Sequence, residues 1–139
     1  MVHVVPDTNV LVFALVGRGK PKRLVFQLLE GHVLVSSSQM LAELADVLSR
    51  EKFREVRRSH VDKYLSNLVM RCKMVKRQSR FKVVAEDPDD DLVLNTAYSG
   101  KAAYIVTGDR HLLALKEFKG IKILTVNEML QALVKQDRN

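Results

Sequence analysis

A single cysteine, Cys72, stands in the 139 residues, so no internal disulfide can form and a reducing compartment is expected. No stretch reaches the ~18 consecutive apolar residues that a membrane span needs. The N-terminal apolar run from Val2 to Val16 is interrupted by Pro6, Asp7, Thr8 and Asn9, has no basic leader and no small-residue cleavage site, and so does not read as a secretory signal. The four histidines, His3, His32, His60 and His111, show no ligand spacing, and zinc's preferred His and Cys donors are otherwise missing. Internal repeats, low-complexity segments and linkers are also lacking. The expectation is a cytoplasmic protein with no membrane association. One domain over residues 1–139 is expected, because the length suits one core and 47% apolar residues can furnish it.

What the chain has in excess is positive charge, +7 overall, and it is unevenly placed. From Arg50 to Lys82 there are 12 lysines and arginines against 3 acids, so the rest of the chain is net acidic. Clustered cations suit a polyanion, because phosphate contacts release condensed counterions; the same charge equally serves as a solvated helix surface.

The β-branched run Val2 to Val5 reads as a buried strand that meets a loop at Pro6-Asp7. Leu24, Val25, Leu28 and Leu29 predict a helix over 22–30, ended by a left-handed cap at Gly31, and a second strand follows over 32–35. Ser36-Ser37-Ser38-Gln39 has the form of a capping box and predicts a helix to about Arg50, with Met40, Leu41, Leu44, Val47 and Leu48 as its apolar stripe. A longer helix is predicted from Val61, Tyr64, Leu65, Leu68, Val69, Cys72 and Val75. Phe81 to Val84 reads equally as strand or connection. The Asp87-Pro88-Asp89-Asp90-Asp91 run reads as a helix start and Gly100 as that helix's end. A strand over 103–106, a short helix over 110–116, a strand over 121–126 and a helix over 127–136 capped by Asn127 complete the chain. Strands alternating with helices indicate crossovers and a parallel sheet covered on both faces.

Ligands of open α/β sheets bind at the C-terminal ends of the strands, which makes the acid positions informative. Asp7 directly follows the first strand, and Asp109 follows the third through Thr107-Gly108. Glu43 lies about two turns into the helix after the second strand. It is about 40° from Val47 and thus borders the apolar stripe, whereas Asp46 turns further toward solvent. Asp90 falls in the first turn of the helix that feeds the third strand. Like charges in one cleft cost roughly 1 kcal/mol per pair at ~4 Å in water and about 4 at a protein-like dielectric. A hard cation, Mg²⁺ or Mn²⁺, is the natural compensation for an all-oxygen set. Each acid also has an ordinary structural use: Asp7 as a turn cap, Glu43 as a partner for Arg50, Asp87 to Asp91 and Asp109 as helix caps. Four acids at the functional ends of successive elements favour the shared site.

These residues resemble the PIN-domain family, in particular its VapC-like toxin branch. The resemblance is carried by Pro6-Asp7-Thr8-Asn9-Val10-Leu11, by Val35-Ser36 with Leu41-Ala42-Glu43-Leu44, by Asp87-Pro88-Asp89-Asp90-Asp91 and by Ile105-Val106-Thr107-Gly108-Asp109, in family order and over nearly the whole chain. It implies a three-layer α/β/α domain with a parallel sheet of about five strands, often a homodimer, acting as an Mg²⁺- or Mn²⁺-dependent endoribonuclease with an antitoxin protein as partner. By position, Asp7, Glu43, Asp90 and Asp109 match the metal-binding acids, and Thr8, Asn9 and Thr107 match polar residues that orient them. The third acid lies seven residues before a small helix residue in the family pattern; counting from Ala97 gives Asp90. Asp91 stays open as the alternate, since one residue turns a helical side chain by 100°. The implied chemistry is in-line phosphodiester hydrolysis, with cations from Arg50 to Lys82 holding the RNA. Arg110 and His111 lie close enough in sequence to Asp109 to reach substrate, but read by default as exposed helix residues.

Other enzyme classes fit less well. A haloacid-dehalogenase-like phosphatase wants a second acid where Asn9 stands, and a receiver domain wants a paired acid near the first strand and a lysine after the last. Gly17-Arg18-Gly19-Lys20 lacks the spacing and hydroxyl of a phosphate loop and reads as a basic turn. The rival from another class is a non-catalytic RNA- or protein-binding domain.

Overall fold

The computed structural model describes residues 1–76 and 88–137. The chain opens with strand β1 (His3–Pro6), helices α1 (Thr8–Val16) and α2 (Lys20–Gly31), strand β2 (Val33–Ser37) and helix α3 (Ser38–Leu48). A 3-10 turn (Glu51–Phe53), helix α4 (Arg58–Arg71) and strand β3 (Lys73–Val75) follow. The second half holds α5 (Pro88–Ser99), β4 (Tyr104–Val106), α6 (Arg110–Leu115), β5 (Glu117–Phe118), β6 (Ile121–Leu124) and α7 (Val126–Asp137).

The sheet runs β3-β2-β1-β4-β6-β5. Five of its strands pair in parallel, and the two-residue β5 lies antiparallel on the edge against β6. Successive side chains leave opposite faces of a strand, so each parallel strand must be apolar on both sides. Val4, Leu34 and Val106 accordingly join a core with α1, α2, α3, α4 and α7. Their neighbours Val5, Val35 and Ile105 join a second core with α5 and α6, where Val93, Leu94, Ala97 and Leu112 cover them. The result is a three-layer α/β/α sandwich. No helix among the described residues is long and apolar enough to cross a membrane.

β2 and β3 lie to one side of β1, and β4, β6 and β5 to the other. The chain order therefore reverses between β1 and β4, the place where open α/β sheets split to form a ligand crevice. Helix α3 leaves β2 at the edge where the parallel strands end, and α5 runs back to feed β4, so its first turn stands at that same edge.

Several boundaries differ from the sequence expectations, each for a local reason. The cap of α3 is Ser37, whose Oγ accepts from the Met40 N–H at 3.2 Å; Ser36 is the penultimate residue of β2 and fully buried. The helix expected through Val75 stops at Arg71. Cys72 turns extended and Lys73–Val75 pair with Val35–Ser37, so ladder hydrogen bonds override the apolar spacing. Gly31 is the last residue of α2 and not left-handed, and His32 closes the helix in extended geometry. Asn127 lies inside α7, and the reciprocal cap is made by its neighbours. The Glu128 N–H donates to Thr125 Oγ1 and the Thr125 N–H to Glu128 Oε1, which holds the Glu128 carboxyl below the usual range. Phe81 to Val84 and Asp87 lie outside the described residues.

Gly100 ends α5 as expected, and its reason is space. A Cβ there would stand 2.6 Å from Val35 Cγ1 and 2.8 Å from Val75 Cγ2, inside the buried contact between α5 and the β2-β3 half of the sheet. Gly100→Ala is expected to destabilise the fold by about 1–3 kcal/mol, the usual penalty for overpacking. A denaturant midpoint equal to the parent's would show that this contact yields more than its distances indicate.

Candidate metal and phosphodiester site

The residues at the strand-order reversal are tied together by hydrogen bonds. Asp7 follows β1, and its N–H donates to the Val106 carbonyl at 2.8 Å, continuing the β1-β4 ladder by one rung. Its Oδ1 accepts from the Thr8 N–H at 2.6 Å as the cap of α1. Its Oδ2 accepts from Thr107 Oγ1 at 2.8 Å. Thr107 is fully buried, and the same hydroxyl oxygen accepts from the Asp109 N–H at 3.0 Å. One threonine thus fixes the Asp7 carboxylate on one side and the Asp109 backbone on the other.

The Asp109 carboxylate caps α6 with Oδ1, which accepts from the N–H groups of His111 at 2.7 Å and Leu112 at 3.2 Å. Its structural use is therefore real, but it occupies a single oxygen in these bonds. Arg110 and His111 are exposed on the first turn of α6.

Asp90 and Asp91 separate by burial. Asp90 is 4% exposed in the first turn of α5, whereas Asp91 is half-buried and Asp89 exposed. A carboxylate taken out of water needs compensation, and the first-turn position supplies part of it through the positive end of the helix dipole. Glu43 is half-buried on α3, and Asp46 is exposed and pairs with Arg50 at 3.4 Å. Thr96 of α5 donates to Ser37 Oγ at 3.4 Å, so the helix carrying Asp90 is stitched to the cap of the helix carrying Glu43. Sequence inspection did not single out Thr96; its spacing from Asp90 offers no signal, because a buried hydroxyl finds its partner only after the helix docks. Thr8 is buried and Asn9 exposed on the opening turn of α1.

As placed, no three His, Cys, Asp or Glu side chains among the described residues stand close enough to hold an ion. The donors at this edge are nevertheless all oxygen, the chemistry of a hard divalent cation, which can take one or two carboxylates directly and complete its shell with water.

Burial pushes the Cys72 thiol pKa up, away from the thiolate. On the other side of the molecule, burial raises the Tyr64 phenol, whose O–H donates to the Leu11 carbonyl at 2.7 Å and pins α4 on α1. The lysines and arginines in the described part of the basic stretch are exposed, and several of the arginines engage acids: Arg54 with Glu51, Arg58 with Asp62, Arg71 with Glu30. Arg57, His60 and Lys63 line a shallow groove at the start of α4.

The PIN-domain family model matches residues 3–111, from β1 through the first turn of α6. The chain belongs to the PIN-domain family. The match spans Asp7, Glu43, Asp90 and Asp109 together. A relative of this PIN protein is the uncharacterized protein MJ1680 of Methanocaldococcus jannaschii, 29% identical over 131 residues that cover 91% of this chain and 83% of the relative. Among solved structures, the fold is similar to a chain in the crystal structure of VapBC2 from Rickettsia felis bound to a DNA fragment from their promoter. The TM-score is 0.63 at 18% identity, covering 88% of this chain and 98% of that one.

The two uses of Asp109 can be separated. Asp109→Ala is expected to lose the α6 cap and cost about 0.5–2 kcal/mol, whereas Asp109→Asn, an equally good cap, keeps stability and removes only the charge. Thermal melts of the two variants check this, and equal melting temperatures would remove the capping role.

Proposed function

We propose that residues 1–139 form one PIN domain that acts as an Mg²⁺- or Mn²⁺-dependent endoribonuclease, the toxin component of a toxin-antitoxin pair, working in the cytoplasm as a homodimer. The observation that carries the nuclease reading is the Thr107 hydroxyl held between Asp7 Oδ2 and the Asp109 N–H at the strand-order reversal. Such a device keeps one carboxylate aimed in a fixed direction, a demand of metal ligation that a turn cap does not make. Membership of the PIN-domain family supports the same reading, and the fold shared with the VapBC2 chain supports a protein antitoxin as partner.

In this reading Asp7, Glu43, Asp90 and Asp109 hold the cation, with Asp90 favoured over Asp91 because it is the buried one. The bound cation would supply an activated water and offset negative charge on the phosphoryl oxygens. Thr107 keeps Asp7 from rotating away, the buried Thr8 holds the opening turn of α1, and Asn9 faces the incoming strand. Cations of the Arg50 to Lys82 stretch, Arg57 and Lys63 among them, would hold the RNA backbone by charge and without reading its sequence.

Purified protein is expected to cut RNA, to stop when a chelator is added and to recover with Mn²⁺. Asp7→Asn should abolish cutting, and Thr107→Val, which keeps shape and removes the bridging hydroxyl, should lower it about 10–100-fold, as loss of a ligand's supporting partner does. Cleavage that survives both the chelator and Asp7→Asn would place the activity elsewhere. RNA bound but never cut by the parent protein, with the same affinity in Asp7→Asn, would assign the chain to the non-catalytic class.

A further inference from the structure

Helix α1 buries five of its seven apolar residues, and of the other two Phe13 is more exposed than Val16 at the helix end. Val10, Leu11, Val12, Ala14 and Leu15 are at most 5% exposed, whereas Phe13 is 58% exposed. Its ring lines a groove of about 400 Å³ whose other walls include Asn9, Lys20, Thr107, Val126 and Asn127. The groove therefore adjoins the Asp7-Thr107-Asp109 cluster through Thr107 itself. Lys20 stands at its rim with Nζ donating to Asn127 Oδ1 at 2.7 Å, so a cation and an amide are held side by side. Gly108 lines the groove between Thr107 and Asp109 in the chain, and a Cβ there would meet nothing within 4 Å, so packing does not require that glycine.

We propose that this groove is the binding subsite for one unstacked nucleobase next to the scissile phosphate, with Phe13 as the stacking platform, Lys20 on the adjoining phosphate and Asn9 or Asn127 hydrogen-bonding the base edge. The volume suits one small planar ligand, sites of this kind spanning about 300–1,000 Å³. An exposed aromatic ring beside amide groups and a lysine matches the way unpaired bases are bound, by stacking with polar edges alongside. A paired base cannot reach the ring without leaving its stack, so the subsite selects single-stranded segments. The inference rests on the nuclease reading for the position of the phosphate, but not for the binding itself.

Binding is measured in chelator, without metal, using a fluorescein-labelled single-stranded RNA hexamer and the same hexamer annealed to its complement. Phe13→Leu is expected to weaken single-strand binding about tenfold while Phe13→Tyr stays near the parent, since base-aromatic stacking is sequence-tolerant but needs a ring. Duplex binding should be the same for all three proteins. In the unmodified protein, nucleoside 5′-monophosphates should shift the amide resonances of Asn9, Phe13, Lys20 and Asn127. A Phe13→Leu protein with parental single-strand affinity, the result for a groove that takes a protein segment instead, would overturn the proposal, as would shifts confined to other residues. Phe13-dependent binding by a chain that never cuts RNA would leave the subsite standing and sink the nuclease reading. Asp7-dependent cutting with no Phe13 effect on binding would do the reverse.

Discussion

A buried hydroxyl between two acids is what the rest of the site depends on. Thr107 has one proton to donate and gives it to Asp7 Oδ2, so its oxygen is left to accept from the Asp109 backbone. Because the Asp7 N–H also reaches Val106, the ends of β1 and β4 are locked at two successive levels, by backbone and then by side chain. Separation of the two strand ends would break both, while the same carboxylates serve locally as the caps of α1 and α6. The geometry of the carboxylates is therefore coupled to the start of two helices, and the fold holds the site in place as part of closing its own sheet edge.

Collecting acids at one edge carries an electrostatic cost that the local architecture partly offsets. Asp7 and Asp109 each spend one oxygen on the N–H groups of a helix start, and Asp90 sits in the first turn of α5. Helix N-termini favour negative charge by about 0.3–1 kcal/mol each, well short of the roughly 4 kcal/mol of repulsion per close pair at protein-like dielectric. Full convergence of the four acids therefore requires more positive charge than helix starts supply. Among the described residues, as placed, no three of these acids close into one cluster.

The legible part of the fold was the part governed by period and by punctuation. Alternating strands and helices indicated the layered sandwich, but of its six strands β3 and the two-residue edge β5 were unforeseen. Helix α1 carried no periodic signal because it is apolar nearly all round, and a helix buried on most sides has no polar face to mark its turn. The end of α4 was misread because Cys72 and Val75 continue a helical spacing by coincidence, while the ladder to β2 is a non-local contact no window along the chain contains. At the site, the exposure of Asp46 relative to Glu43 follows from helical angles, and Asp90 over Asp91 came from the family pattern with Asp91 as the alternate; both were open to sequence reasoning. The bond from Thr107 to Asp7, 100 positions apart, and that from Thr96 to Ser37 were not, since both exist only once the sheet is assembled.

Charge is divided between two regions of the molecule, and the division has a mechanical sense. Asp7 and Asp109 stand at strand ends beside the sheet, whereas Arg54, Arg58 and Arg71 stand on or near α4 and share acids with their neighbours. Paired surface cations give modest, salt-sensitive attraction, enough to gather a polyanion without fixing its register. In the proposed ribonuclease reading, fixing register needs directional contacts close to the reacting phosphate, and the hydroxyls, amides and ring at the β1-β4 crevice are the groups able to make them. Attraction and positioning would then fall to different elements, so that a change in the basic helix alters how tightly RNA is held and a change at the crevice alters where it is held.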